Sequence, residues 1–232
     1  MHNKKGLVSF EVTVKQTNLN IQAETDLSAK AVRAVLECRN HIENIIQSWP
    51  EFAGSLVPLS DPGPCPAIIS DMLEAGRLAK VGPMAAVAGA VAEYTGRALL
   101  EYSREIVVEN GGDIFIKSDS DTVFSIYAKD SPFSMTTGIR VKAQTGAYGM
   151  CTSSGTLGHS KSLGTADAAS VMADSCSLAD AAATALGNMI KHPSDIQKAI
   201  DTIKSIPGVR GIVVIKGDHI GLWGNLKLVK LS

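Results

Sequence analysis

The amino-acid sequence predicts an α+β fold, with mixed or antiparallel sheets and packed helices, as a single domain over residues 1–232 whose first six residues are a flexible N-terminus. Two observations carry this. Strand-type and helix-type segments alternate irregularly and show no simple repeat, which disfavours a doubly wound parallel sheet. Hydrophobic residues make up 45% of the 232, enough to bury a core, but aromatics only 5%, so that core is built from Ala, Val, Ile and Leu.

Residues 7–24 read as two strands. Val8, Phe10, Val12 and Val14 alternate with polar residues, Thr17-Asn18 interrupts, and Leu19, Ile21 and Ala23 resume. Asp26 or Ser28 caps a helix to about Ser48 whose apolar stripe is Val32, Val35, Leu36, Ile42, Ile45, Ile46 and Trp49. Pro50 ends it, and four prolines over 57–66 make a loop. Helices follow at about 67–79 and 83–102, the second rich in Ala and Gly. Ile106 to Val108 and Ile114 to Ile116 are strands around a polar turn, and 123–127 and 139–143 are further strands. Residues 146–164 have no periodicity and read as an irregular passage, followed by a short strand at 168–172. Ser177 to Asp180 form a capping box opening a helix to about Ile190, and Ser194 to Gln197 form another. Strands at 211–215, 219–223 and 226–231 close the chain, the first two joined by Gly217-Asp218.

Twenty-two Lys and Arg against 23 Asp and Glu give a formal charge of −1, which excludes a broad cationic surface for nucleic acid or anionic membrane. The polar start has no apolar stretch of signal-peptide length, and the longest apolar run, Val81 to Ala92, is too short to span a bilayer. The expectation is a cytoplasmic protein acting on a small molecule or a partner protein, possible as a homodimer. Its four cysteines show no CxxC pairing and are expected as free thiols.

Three segments carry chemistry-bearing residues. In Glu109-Asn110-Gly111-Gly112-Asp113, adjacent glycines permit positive φ and expose N–H groups to an anion or a nucleotide; the same residues equally make a plain hairpin turn. The passage from Cys151 to Gly164 carries a thiol, His159 and many hydroxyls, so Cys151 and His159 could form an activated thiolate, against the simpler reading of a buried inert thiol. Asp180 and Thr184, four apart on one helix, are a hard-oxygen pair suited to Mg²⁺, while Asp180 also suits a cap.

Taken in order, Asn110-Gly111-Gly112-Asp113, the string from Cys151 to Ala168 with Ser154, Gly155 and His159, and Ala179-Asp180-Ala181 with Thr184 resemble the motif series of the ApbE-like flavin transferase superfamily. The resemblance implies an α+β fold, Mg²⁺ and FAD, with FMN moved onto a hydroxyl of a partner protein. It implies metal ligands at Asp180, Thr184 and the carbonyl of Val87, and flavin-nucleotide contacts at Asn110, Gly111, Gly112, Asp113, Ser154, Gly155 and Glu93. His159 falls beside the reacting pyrophosphate. Two positions depart from it: Ala88 stands where a lysine is expected, which makes flavin retention doubtful, and Glu93 stands where an aspartate is expected. One branch of the superfamily is associated with sulfur assimilation toward homocysteine. The first expectation is therefore sulfur handling with Cys151 as a reachable, partly ionised acceptor and Cys176 as runner-up. FAD:protein FMN transfer and a non-catalytic flavin or nucleotide module are the alternatives.

Overall fold

A computed structural model describes Lys4 and residues 6–60, 63–153 and 165–231. Strands β1 (Val8–Val14) and β2 (Thr17–Ala23) form the first hairpin. Helix α1 (Ser28–Ser48), the short α2 (Glu51–Gly54), α3 (Ala67–Ala79) and α4 (Val87–Leu99) follow. Next come β3 (Ile106–Asn110), β4 (Asp113–Lys117), β5 (Thr122–Ser125), β6 (Thr137–Val141), β7 (Tyr148–Ser153) and β8 (Ala168–Ala173). Helices α5 (Cys176–Met189) and α6 (Ile196–Ile203) precede β9 (Val209–Lys216), β10 (His219–Gly224) and β11 (Lys227–Lys230).

Eight strands form one sheet in the order β1-β2-β3-β4-β7-β8-β9-β10, and three form a second, β11-β6-β5. Every pairing is antiparallel. The pleat sorts side chains between two cores. Val108, Phe115, Cys151, Val171 and Val214 face the helices. Val107, Ile114, Ile116, Met150, Met172 and Val213 face the small sheet. Three layers result, with the large sheet buried on both faces in its middle.

That double burial explains the strand missed at 148–153. The alternation Tyr148, Met150 against Gly149, Cys151 carries no polar signal, because both faces are covered. Gly149 is required there: a Cβ on it would lie 2.4 Å from the Cα of Cys176. The stripe of α1 is also rotated from expectation. Ala31, Ala34, Val35, Cys38 and Ile42 are buried, whereas Val32 and Leu36 are 36% and 51% exposed. Small alanines on the buried face let α1 approach its neighbours closely. Residues 83–102 divide into a 3-10 turn at Pro83–Ala86 and then α4. The cap of α5 is Ser175, whose side chain accepts the N–H of Leu178, so the box expected at Ser177 lies two residues inside the true start.

Candidate functional site

The N-terminus of α4, the β3–β4 turn, the end of β7 and the first turns of α5 converge on a cavity of about 440 Å³, closed on its other side by α1 and the β1–β2 turn. The turn is built as its sequence dictates. Asn110 pairs with Asp113 across it, and Gly111 and Gly112 take φ of +65° and +112°. Such angles match a two-residue hairpin and are accessible at little cost only to glycine. Asn110 Nδ2 then donates to the carbonyl of Ala88 at 3.0 Å, tying the turn to the start of α4.

Helices α4 and α5 exchange caps. Asp180 of α5 accepts the N–H of Gly89 at 2.9 Å, at the start of α4. Glu93 of α4 accepts the N–H groups of Cys176 and Ser177 at 2.8 and 3.1 Å, at the start of α5. Each carboxylate satisfies otherwise unpaired helix-end donors and meets the positive end of a helix dipole. Close approach of the two helices makes the exchange possible, since a Cβ at Gly89 would lie 2.3 Å from the carbonyl oxygen of Cys176.

Of the residues singled out in the sequence, Asn110, Gly111, Asp113, Val87, Asp180 and Thr184 line this one cavity. Gly112 lines a smaller neighbouring cavity of about 170 Å³ that shares Gly111 and Thr152 with it. Glu93 corrects the expectation of a flavin contact: it is 1% exposed, absent from the cavity wall and engaged by the α5 N-terminus and Arg97. Its signal was misread because a cap made between two helices distant in sequence leaves no local pattern. His159, Ser154 and Gly155 lie outside the described residues. Thr152, Ser153 and Arg39 also belong to the wall and were missed as site residues. Thr152 and Ser153 stood inside the hydroxyl-rich string, whereas nothing local distinguished Arg39 from any other helix-surface arginine.

Cys151 is a second correction. It is a central residue of β7, not part of an open loop, and is fully buried. Its Sγ lies 3.4 Å from both Sγ and the carbonyl oxygen of Cys176. Burial, the neighbouring thiol of Cys176 and nearby carboxylates push the Cys151 thiol well above its ordinary range, and burial raises Cys176 to about 11. Neither is a thiolate near neutral pH. Burial also raises Cys38, to about 12, whereas Cys65 is half-buried. Iodoacetamide at pH 7 is therefore expected to modify Cys65 first and to leave Cys151 and Cys176 protected until the protein unfolds. Peptide mass mapping over time checks this; early labelling at Cys151 would contradict it.

Two carboxylates dominate the electrostatics of the cavity. Burial and the charge of Asp113 hold Asp180 well above the usual carboxylate range, against the opposing N–H groups of Gly89 and Ala88. Burial raises Asp113 to about 7; the Cys151 thiol and the Thr152 N–H pull it down, and Glu109 pushes it further up. Paired acids with raised affinity for protons have a corresponding affinity for a cation. Asp113 and Asp180, with the hydroxyl of Thr184, are hard oxygen donors, and their chemistry fits Mg²⁺. Among the described residues no three His, Cys, Asp or Glu cluster for a metal, so carbonyls, hydroxyls or ligand phosphates would complete the shell.

The sign of the Asp113 shift sets a prediction. Its folded pKa, about 7, exceeds the ordinary 3.8, so the folded state holds this proton more tightly, and the contribution to stability falls as pH rises from about 4 to 7. Asp113→Asn removes that charge. At pH 8 in EDTA it is expected to gain on the order of 1 kcal/mol, about 2–4 °C in Tm for a domain this size. The gain is expected to shrink toward pH 5, and unchanged melting curves at both pH values would contradict it.

Residues 1–219 match the protein family described as AbpE bacteria. A UPF0280 protein of Methanococcus aeolicus is 39% identical, with 97% of each chain covered. UPF0280 proteins of Methanocaldococcus jannaschii and Methanosarcina acetivorans are 37% and 35% identical, covering 94% and 92% of this chain and 92% and 85% of their own. Among solved structures, the flavin transferase ApbE of Vibrio cholerae superposes with a TM-score of 0.58 at 12% identity, over 94% of this chain and 96% of that one. The flavinyl transferase ApbE of Pseudomonas stutzeri gives 0.53 at 13%, over 94% and 93%. At such identities the likeness is one of fold.

Proposed function

The chain belongs to the family described as AbpE bacteria, and from that premise we propose that it binds a flavin nucleotide through a divalent cation held at Asp113, Asp180 and Thr184. The paired carboxylates carry this reading. They stand beside the Thr184 hydroxyl in a cavity that also carries an apolar patch, from Ile42, Ile46, Met84, Val87 and Val91. Such a patch suits a ring system, and the oxygen cluster suits metal-bridged phosphates. The fold neighbours named as flavin transferases supply the ligand class. Mg²⁺, when bound, would neutralise phosphate charge. The chain's own part is to hold the oxygen donors in place through the exchanged caps and to present the Gly111 turn to the ligand.

Transfer of FMN from FAD to a hydroxyl is the second reading, favoured by the fold neighbours named as flavin transferases. Ala88 offers no side-chain cation at its position in the wall. Sulfur assimilation has no support in the geometry, because the Cys151 thiol is sealed between β7 and α5.

Titration of the purified protein with FAD, in Mg²⁺ and in EDTA, tests the proposal by quenching of flavin fluorescence. Saturable binding that requires Mg²⁺ is expected, and no binding in either condition would overturn it. Adding a threonine-bearing acceptor peptide then separates the two readings: a peptide heavier by FMN establishes transfer.

A further inference from the structure

The smaller cavity, of about 170 Å³, shares none of Asp113, Asp180 and Thr184 and lies on the other face of the large sheet. Ile114 and Met150 line it from the large sheet, and Phe124 and Ile139 from the small one, all four buried between the two sheets. Its mouth is open, with Gly111 exposed and Tyr127 50% exposed there. The two cavities meet at the end of the sheet, where Gly111 and Thr152 belong to both walls. A Cβ at Gly111 would meet nothing within 4 Å, and one at Gly112 only the carbonyl oxygen of Thr152, at 3.7 Å. The strip between the compartments is bare backbone, so a ligand crosses from one to the other without displacing a side chain.

The lining defines what this second compartment accepts. Glu109 is its one charged residue among those described, so the wall repels a phosphate and offers it no cation. Ile114, Ile126 and Ile139 form apolar sides, and Phe124 and Met150 favour an aromatic ring. Polar atoms enter on one side only: the hydroxyls of Thr152 and Ser170 meet at 2.8 Å. Whichever of the two donates, the half-buried Thr152 hydroxyl keeps a lone pair for an N–H on the ring. Size narrows the choice further. A cavity of about 150 Å³ holds a benzene-sized ring. At about 170 Å³ and with an open mouth, this one takes one or two fused rings and not three.

We propose that the smaller cavity binds an uncharged planar group of one or two fused rings, tethered across the Gly111-Gly112 turn to phosphates at the cation site. This rests on the flavin-nucleotide reading and deepens it. Of the two ring systems of FAD, adenine satisfies both the charge and the size, and its amino group supplies the N–H for Thr152. The three-ring isoalloxazine is left to the larger cavity, with its patch at Ile42, Ile46 and Met84.

Methionine methyl groups labelled with ¹³C read this directly in the wild type. Met150 lies in the smaller cavity and Met84 in the larger, and Met150→Leu identifies the first signal. In Mg²⁺, ADP and FAD are expected to shift the Met150 signal, whereas FMN and inorganic pyrophosphate leave it in place. Calorimetry adds the affinities. Ile114→Phe fills the cavity and is expected to lose at least 10-fold for ADP and FAD, with FMN and pyrophosphate within 2-fold. Ile114→Val leaves the cavity open and is expected to stay within 2-fold for all four ligands. Loss of folding would not produce such a split, and if Ile114→Phe fails to fold the wild-type spectra decide alone. ADP that binds with Met150 unmoved, a Met150 shift given equally by FMN or pyrophosphate, or unchanged ADP affinity in folded Ile114→Phe would overturn the proposal while leaving the cation site standing. A wild type that binds none of the four ligands overturns both.

Discussion

Replacing Asp180 with alanine is expected to lower Mg²⁺ affinity roughly 100-fold, about 2.7 kcal/mol, and to abolish Mg²⁺-dependent FAD binding with it. Among the described residues the cavity wall holds three carboxylates, but Glu43 is paired with Lys15 and Arg39, and Asp180 stands one helical turn from Thr184, so Glu43 does not take its place. The same change removes the acceptor for the Gly89 N–H and is expected to cost on the order of 1 kcal/mol of stability as a lost cap. Asp180→Asn separates the two effects. Its amide oxygen can still accept from Gly89, so stability is expected to be largely kept while metal affinity is lost. Manganese binding followed by electron paramagnetic resonance, alongside thermal melts, reads both. Wild-type metal affinity in Asp180→Asn would remove this residue from the cation site.

A large stability effect is expected at Gly89. An added Cβ would lie 2.3 Å from the Cys176 carbonyl oxygen and 2.8 Å from the Asp180 Cβ. The first of these obstacles is backbone at the start of a helix and cannot turn aside. Gly89→Ala must therefore drive α4 and α5 apart, at a cost of about 3 kcal/mol, or about 6–12 °C in Tm. Because Gly89 also donates to Asp180, metal affinity is expected to fall together with stability. Gly54→Ala is the control, since nothing lies within 4 Å of an added Cβ there. Equal melting temperatures for the two variants would show that the helices have room to yield.

Much of this arrangement was legible in the sequence. Alternation gave β1 and β2, the Asn-Gly-Gly-Asp turn marked a hairpin, and the spacing of Asp180 and Thr184 placed both on one helix face toward the cavity. The α+β class followed from the irregular order of elements. What stayed hidden depended on layers or on distant partners. Cys151 looked accessible because its hydroxyl-rich neighbours suggest a loop, yet the residues before it complete a strand covered on both sides. Glu93 looked like a ligand contact because its partners, the amides of Cys176 and Ser177, are more than eighty residues away. Arg39 depends on a turn twenty-two residues earlier to hold its guanidinium in place.

The exchanged caps of α4 and α5 also bear on how the molecule loosens. Each helix start is completed by a carboxylate from the other, so fraying one withdraws the group that satisfies its partner's end. The two segments are thereby thermodynamically coupled, and their amides share an opening event instead of fraying independently. Hydrogen exchange at Gly89 and at Cys176 then reports one free energy, the two protons being released to solvent together. The cavity wall they build is therefore expected to open as one unit, and its ligand geometry to be lost in a single step.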